Sequence, residues 1–314
     1  MDREILLSAD GSQPLPSVVA LQLDEALELC TAWLHSIAAK HEIRLLVLKG
    51  DALARQSLRA TRTSSDVDVL IEPHRFDDFT QILTAAGWRE YELSFAAEQF
   101  TFHSRTFHRR GWPNSVDVHA YWPGFLAPAA DAFEALWVRR ASLEFAHHPC
   151  DVPDRIAHAL ILALHSLRSS QAQLRHKTEL ASVLDLELDD REKLDAAAFI
   201  RATQSAAPLS DVIRHLGIDV EISAAEWRSA EAMQWRRKVR ETEGRARFWI
   251  EGLRRAAWLD KPGMLRKAIW PTRRDMLLEH PDVMDRVGPM LSARARRLGR
   301  GIRQIVRLSS HRSD

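Results

Sequence analysis

The alternation of apolar and polar positions divides the 314-residue chain into two regimes. Residues 17–40 carry Val18, Leu21, Ala26, Leu29 and Trp33 among their apolar positions and predict a helix. "IRLLVL" (43–48) is a short apolar run and predicts a buried strand. Gly50 breaks it, and 51–58 suits a short helix. "DVDVLI" (66–71) predicts a second strand. Pro73 opens a helix with Phe76, Phe79, Ile82 and Leu83 on one face, and Gly87 closes it. "QFTFHSRTFH" (99–108) alternates like a strand, "GWPN" (111–114) is a turn, and "SVDVHAYW" (115–122) is the return strand.

A short helix around 128–139 and a strand at 143–147 complete this part. From Pro153 the pattern turns helical, with "PDRIAHALILALHSLRSS", "LRHKTELASVLDLEL", "EKLDAAAFIRATQS" and "SDVIRHLGI". Nothing beyond 150 reads as strongly strand-like. The expected class is therefore α+β: a mixed β-sheet flanked by helices in 1–150, then an all-helical module in 151–314.

Composition adds limits. Hydrophobic residues make up 46% of the chain, enough for a sizeable core. Cys30 and Cys150 show no metal-ligand spacing and no disulfide framework, which fits a reducing compartment. The N-terminus lacks the pattern of a signal peptide, and no apolar run reaches the ~20 residues of a membrane span. The expectation is a cytoplasmic protein. The net charge of +1 conceals an asymmetry. Residues 234–314 hold 21 Lys+Arg and 9 Asp+Glu, whereas residues 1–233 hold 23 and 34. A basic C-terminal tail beside an acidic body suggests an anionic partner or an internal docking surface.

The chemistry centres on Asp66-Val67-Asp68. Strand side chains alternate, so Asp66 and Asp68 share one face while Val67 and Val69 point into the core. Two carboxylates on one face repel each other unless a cation sits between them. Mg²⁺ favours such oxygen ligands together with substrate phosphates. Asp117 in the return strand is the third candidate, and His119 shares its face. If that strand pairs beside 66–71, the three acids form a clamp for two metals in a phosphoryl transfer. Lys49-Gly50 lies between a strand and a short helix, where backbone N–H groups can hold phosphate.

"LKGDAL", Arg62, "SDVDVLI", a helix ending in "AAGW", and "VDVHAYW" stand in an order that resembles the polymerase-β nucleotidyltransferase superfamily. More narrowly, it resembles the bacterial nucleotidyltransferase family proteins. The resemblance covers 43–125 and extends more weakly into the helical part. It implies a nucleotidyltransferase-type sheet and a Mg²⁺-dependent enzyme, with Mn²⁺ as a substitute. Such an enzyme moves a nucleoside monophosphate from an NTP to an acceptor and releases pyrophosphate. By the same resemblance, Asp66, Asp68 and Asp117 would be the metal ligands, Asp117 also helping to deprotonate the acceptor. Gly50 would open the phosphate-facing turn, and Lys49 and Arg62 would contact the phosphates. Asp51 departs from the superfamily, where a serine or small residue usually follows the glycine; an acid there disfavours a triphosphate unless it turns away.

His119 suits orienting the acceptor or accepting its proton, or is a half-exposed strand histidine. His103, His108, Arg105, Arg109 and Arg110 read as an exposed basic hairpin, and His158 and His165 as core or cleft-lining. In 290–308, Leu291, Leu298, Ile302 and Ile305 share a helical face and the arginines lie mostly off it. This reads as a helix packed on the acidic body with its arginines solvated. Two other functions share these motifs: a tRNA-modifying nucleotidyltransferase toxin of a toxin–antitoxin pair, and a catalytically silent nucleotide- or RNA-binding protein. The acceptor stays open among small molecule, peptide and tRNA.

Overall fold

A computed structural model describes residues 21–95, 103–168, 174–240, 253, 257–279 and 286–310. Residues 17–20 of the expected first helix and 99–102 of the expected third strand lie outside them. The chain opens with α1 (Leu23–Lys40), then β1 (Leu45–Leu48), α2 (Gly50–Arg55), β2 (Asp66–Ile71) and α3 (Phe76–Ala85). The short β3 (Arg89–Glu90), β4 (Ser104–His108) and β5 (Ser115–His119) follow. These strands form one mixed sheet in the order β1-β2-β5-β4-β3. Only the β2–β5 pair is parallel; α3, β3 and β4 form the connection between them.

Strand alternation decides what each face buries. Val47, Val67, Val69, Val116 and Val118 pack with Leu34 and Cys30 of α1 and Phe79 and Leu83 of α3. On the opposite face, Leu46, Leu48 and Leu70 pack against later helices. These are α4 (Ala129–Trp137), α5 (Arg155–Arg168), α6 (Leu174–Leu184) and α7 (Asp190–Ala202). Asp66, Asp68, Asp117 and His119 belong to this second face, the one roofed by helices.

A two-stranded sheet, β6 (Arg140–Phe145) and β7 (His148–Pro153), replaces the single strand expected at 143–147. Ala146 and His147 make its turn with φ of 46° and 61°. The boundary expected at 150 falls inside β7. Beyond 153 all secondary structure among the described residues is helical. The helices after it share one core with β1 and β2, so the sheet and the helical part are packed as a unit.

The basic tail differs from expectation in its facing. In the helix Val287–Ser310, Met290 and Ala293 are buried, while Leu291, Leu298 and Ile302 are exposed. Arg294 and Arg297 turn inward, to the carbonyls of Pro271 and Ala268, and Arg297 also meets Glu279 at 3.6 Å. Short-range carbonyl acceptors at the preceding helices outcompete solvent for these two guanidinium groups. The side chains of Ile305 and Arg307 lie outside the described residues.

Candidate active site

The parallel pairing of β2 and β5 brings Asp68 opposite Asp117 and Leu70 opposite His119. Residues in register on neighbouring strands project to the same face, so the two acids and the histidine converge. One ligand atom from each of Asp68, Asp117 and His119 lies within 4.8 Å of the others. Asp66, one pleat earlier, stands outside this trio and accepts a hydrogen bond from Ser64 Oγ at 2.6 Å.

Asp68 is 3% exposed, which excludes a solvated-face role. Its Oδ1 meets Lys49 Nζ at 2.9 Å and His119 Nε2 at 3.0 Å. Burial alone would push its carboxyl up; the Lys49 charge and the His119 hydrogen bond outweigh it and hold Asp68 ionised, well below the usual carboxylate range. Asp117 has the opposite fate. Burial and the nearby Asp68 charge raise it, against weaker opposing contributions from Thr106 and His119. Asp117 Oδ1 and His119 Nδ1 are buried without a hydrogen-bond partner among the described residues. Buried polar atoms left without a partner are costly.

Lys49-Gly50 joins β1 to α2 through a left-handed turn, with φ of 53° at both residues. Lys49 is not a glycine, so this conformation is strained. Its backbone N–H is held by His158 Nε2 at 2.8 Å, and His158 Nδ1 donates to Gln56 Oε1 at 2.7 Å. His158 is fully buried in α5; burial, then Arg59 and Lys49, push its pKa down to about 3. A neutral imidazole therefore pins the turn. The core reading of His158 understated this contact.

The other expected phosphate ligand, Arg62, meets Glu179 Oε1 of α6 at 3.5 Å. Arg59 and Arg175 meet the same oxygen at 3.2 and 3.5 Å, and Arg59 also donates to the Gly50 carbonyl at 2.6 Å. Three guanidinium groups thus share one carboxylate beside the Lys49-Gly50 turn. Lys49, Gly50, Arg59, Arg62, Asp66, Asp68, Arg175 and Glu179 line one narrow cleft. A larger cavity of about 360 Å³ opens next to it, with Gly50, Asp51, Arg62, Asp66 and Glu28 in its wall. Asp51 is neutralised there by Arg55, whose Nε lies 2.6 Å from Asp51 Oδ2. That pairing answers the electrostatic objection to an acid at this position. Arg59, Arg175 and Glu179 carried no sequence signal: they meet only because α6 packs over the sheet.

A divalent cation fits this donor set. Two carboxylates in register, one of them raised by burial and the other's charge and carrying an orphaned oxygen, form a site that a positive ion would relieve.

The model of a family described as "uncharacterised nucleotidyltransferase" matches residues 20–212, well over half of the 314 residues. No curated protein sequence matches. Among solved structures, an antigenic nucleotidyltransferase-like protein from Paracoccidioides brasiliensis aligns at 17% identity and a TM-score of 0.38, over 64% of this chain and 96% of its own. The antibiotic-resistance factor ANT(2'')-Ia aligns at 14% identity and 0.40, over 61% and 97%. The lincosamide antibiotic adenylyltransferase LnuA aligns at 10% and 0.34, over 50% and 95%.

Proposed function

The chain belongs to this nucleotidyltransferase family, and from that premise we propose that it moves a nucleoside monophosphate from an NTP to an acceptor hydroxyl, releasing pyrophosphate. The observation that carries the reading is the in-register pair Asp68 and Asp117, with its orphaned Asp117 oxygen, beside the Lys49-Gly50 turn. Asp68 and Asp117 would hold Mg²⁺ (or Mn²⁺), with Asp66 at the rim of the cleft. When bound, the cation supplies charge neutralisation for the phosphoryl oxygens. Arg59, Arg62 and Arg175 would offer the triphosphate a dense positive surface, for which it competes with Glu179. The raised Asp117 suits it to take the acceptor proton, and His119 orients Asp68 through its Nε2. Rate enhancement would come from positioning and preorganised charge. The helices from 155 onward act as the roof that keeps water out. The acceptor is open among small molecule, peptide and tRNA, and the basic C-terminal tail is available to an anionic one.

A second reading has an observation of its own. Lys49 and His119 already satisfy Asp68 without a metal, as a catalytically silent nucleotide-binding protein would require. Incubation with each labelled NTP, Mg²⁺ and cell extract separates the two. Label transferred to an acceptor with stoichiometric pyrophosphate supports the enzyme; NTP binding without turnover supports the silent protein.

A further inference from the structure

A second cluster of ligating side chains lies away from the carboxylates, where α1 meets the β6–β7 hairpin. His148 and Cys150 are two residues apart on β7 and so share a strand face. His35 of α1 comes across to meet them. One ligand atom from each of the three lies within 4.8 Å of the others. His35 Nδ1 and His148 Nε2 are 3.3 Å apart. Two nitrogens bound to one tetrahedral zinc at ~2.0–2.1 Å stand ~3.3–3.4 Å from each other. The other nitrogen of His35, Nε2, faces Asp151 Oδ2 at 3.4 Å. A carboxylate behind a histidine fixes the tautomer that leaves the inner nitrogen free to ligate, the arrangement found behind zinc-bound histidines.

We infer that His35, His148 and Cys150 form a zinc site that clips α1 to β7, with Asp151 orienting His35 and water in the fourth position. The donor set is nitrogen and sulfur, which selects a borderline-soft ion over Mg²⁺. Binding breaks the Cys150 S–H bond, forms an S–Zn bond and releases the proton to water. The Cys150 thiolate offsets one charge of Zn²⁺; the Asp151 carboxylate behind His35 is shared with Arg140, whose Nε lies 3.4 Å from its Oδ1. Burial and the Asp151 charge push the free thiol up to about 12, so the metal itself has to drive its ionisation. Cys150 is fully buried, and among the described residues its sulfur otherwise reaches only the carbonyls of His148 and Thr31, at 3.6 and 4.0 Å. His35 and His148 are half-buried, which leaves an entry path. The clip would stiffen one wall of the larger cavity, since Glu28 and Thr31 of α1 and Phe145 of β6 line it.

The test uses the full chain, stripped with chelator and titrated with Co²⁺ as the spectroscopic probe. The expected result is a thiolate-to-cobalt charge-transfer band and intense tetrahedral visible bands, saturating at one equivalent and bleached by Zn²⁺. His148→Ala and Cys150→Ser should both lose the bands. Cys30→Ser and Asp68→Asn should keep them, because an oxygen-rich site gives no thiolate band. His148 is half-buried, so its variant remains informative if Cys150→Ser misfolds. Zn²⁺ should also raise Tm of the wild type and not of His148→Ala. Absence of the charge-transfer band in the wild type, or its survival in His148→Ala, would overturn the assignment.

Discussion

Asp68 and Asp117 stand opposite each other on adjacent parallel strands, yet hold their protons very differently. Lys49 and His119 keep Asp68 ionised, while burial and then the Asp68 charge make Asp117 reluctant to ionise. The asymmetry assigns the two acids different work in a metal-assisted transfer: Asp68 as a permanent charge, Asp117 as a group that can exchange a proton.

A raised carboxyl costs stability once it ionises. Its favourable contribution is present below the unfolded pKa and is lost as pH rises through the folded value. Asp117→Asn should therefore raise Tm at neutral pH without metal, and the gain should vanish in acid. Thermal melts of both proteins across pH check it; a lower Tm for the variant at neutral pH would contradict the electrostatic account.

Lys49 is the counter-ion of a buried charge, with side-chain exposures of 13% for Lys49 and 3% for Asp68. Lys49→Met should destabilise the fold by about 3 kcal/mol, the scale for orphaning one partner of a buried pair. Adding Asp68→Asn should recover much of that loss, because the double variant carries no stranded charge. Denaturant unfolding of the two single variants and the double variant measures this coupling.

His158 predicts acid sensitivity. It is buried neutral with a pKa near 3, against an ordinary value of 6.5. Stability is fully present above 6.5 and drains as pH falls from there toward 3, because the unfolded chain takes up the proton. The loss should reach several kcal/mol by the bottom of that window. His158→Gln should start less stable and show a shallower slope between pH 6.5 and 4 in chemical denaturation.

Glu179 competes with phosphate for Arg59, Arg62 and Arg175. Glu179→Gln leaves three clustered cations without their anion, so its Tm should fall in low-salt buffer. Pyrophosphate should close the gap, and its affinity for the variant should exceed that for the wild type. An equal response to pyrophosphate in both proteins would remove the arginines from the phosphate site.

Much of the fold was legible because its strands are short apolar runs with clear breakers. "DVDVLI" is β2 to the residue, and the alternation of "SVDVH" placed Asp117 and His119 on one face. The hairpin at 140–153 was only half visible, because Pro149 and Pro153 mask a strand that sits at the edge of its sheet. The partners of the site were less legible than its acids. Lys49 lies on Asp68 through the antiparallel pairing of β1 with β2. Arg62 lies on Glu179 and His158 pins the Lys49 turn, and these two contacts depend on α5 and α6 folding over a sheet more than a hundred residues earlier in the sequence. Local patterning has no access to such long-range packing. The exposed apolar face of the last helix shows the same limit: periodicity finds the stripe and cannot say which side the neighbours cover.

The most direct measurement is pyrophosphate release from NTPs with acceptor-containing extract, as a function of Mg²⁺, for the wild type, Asp68→Asn and Asp117→Asn. The wild type should turn over only with the cation present. Both variants should fall by at least ~100-fold, the scale of losing one preorganised charge at a reacting centre, while melting cooperatively as folded proteins. Turnover that survives in either variant, or that proceeds unchanged in EDTA, would contradict the metal-assisted role of the Asp68–Asp117 pair.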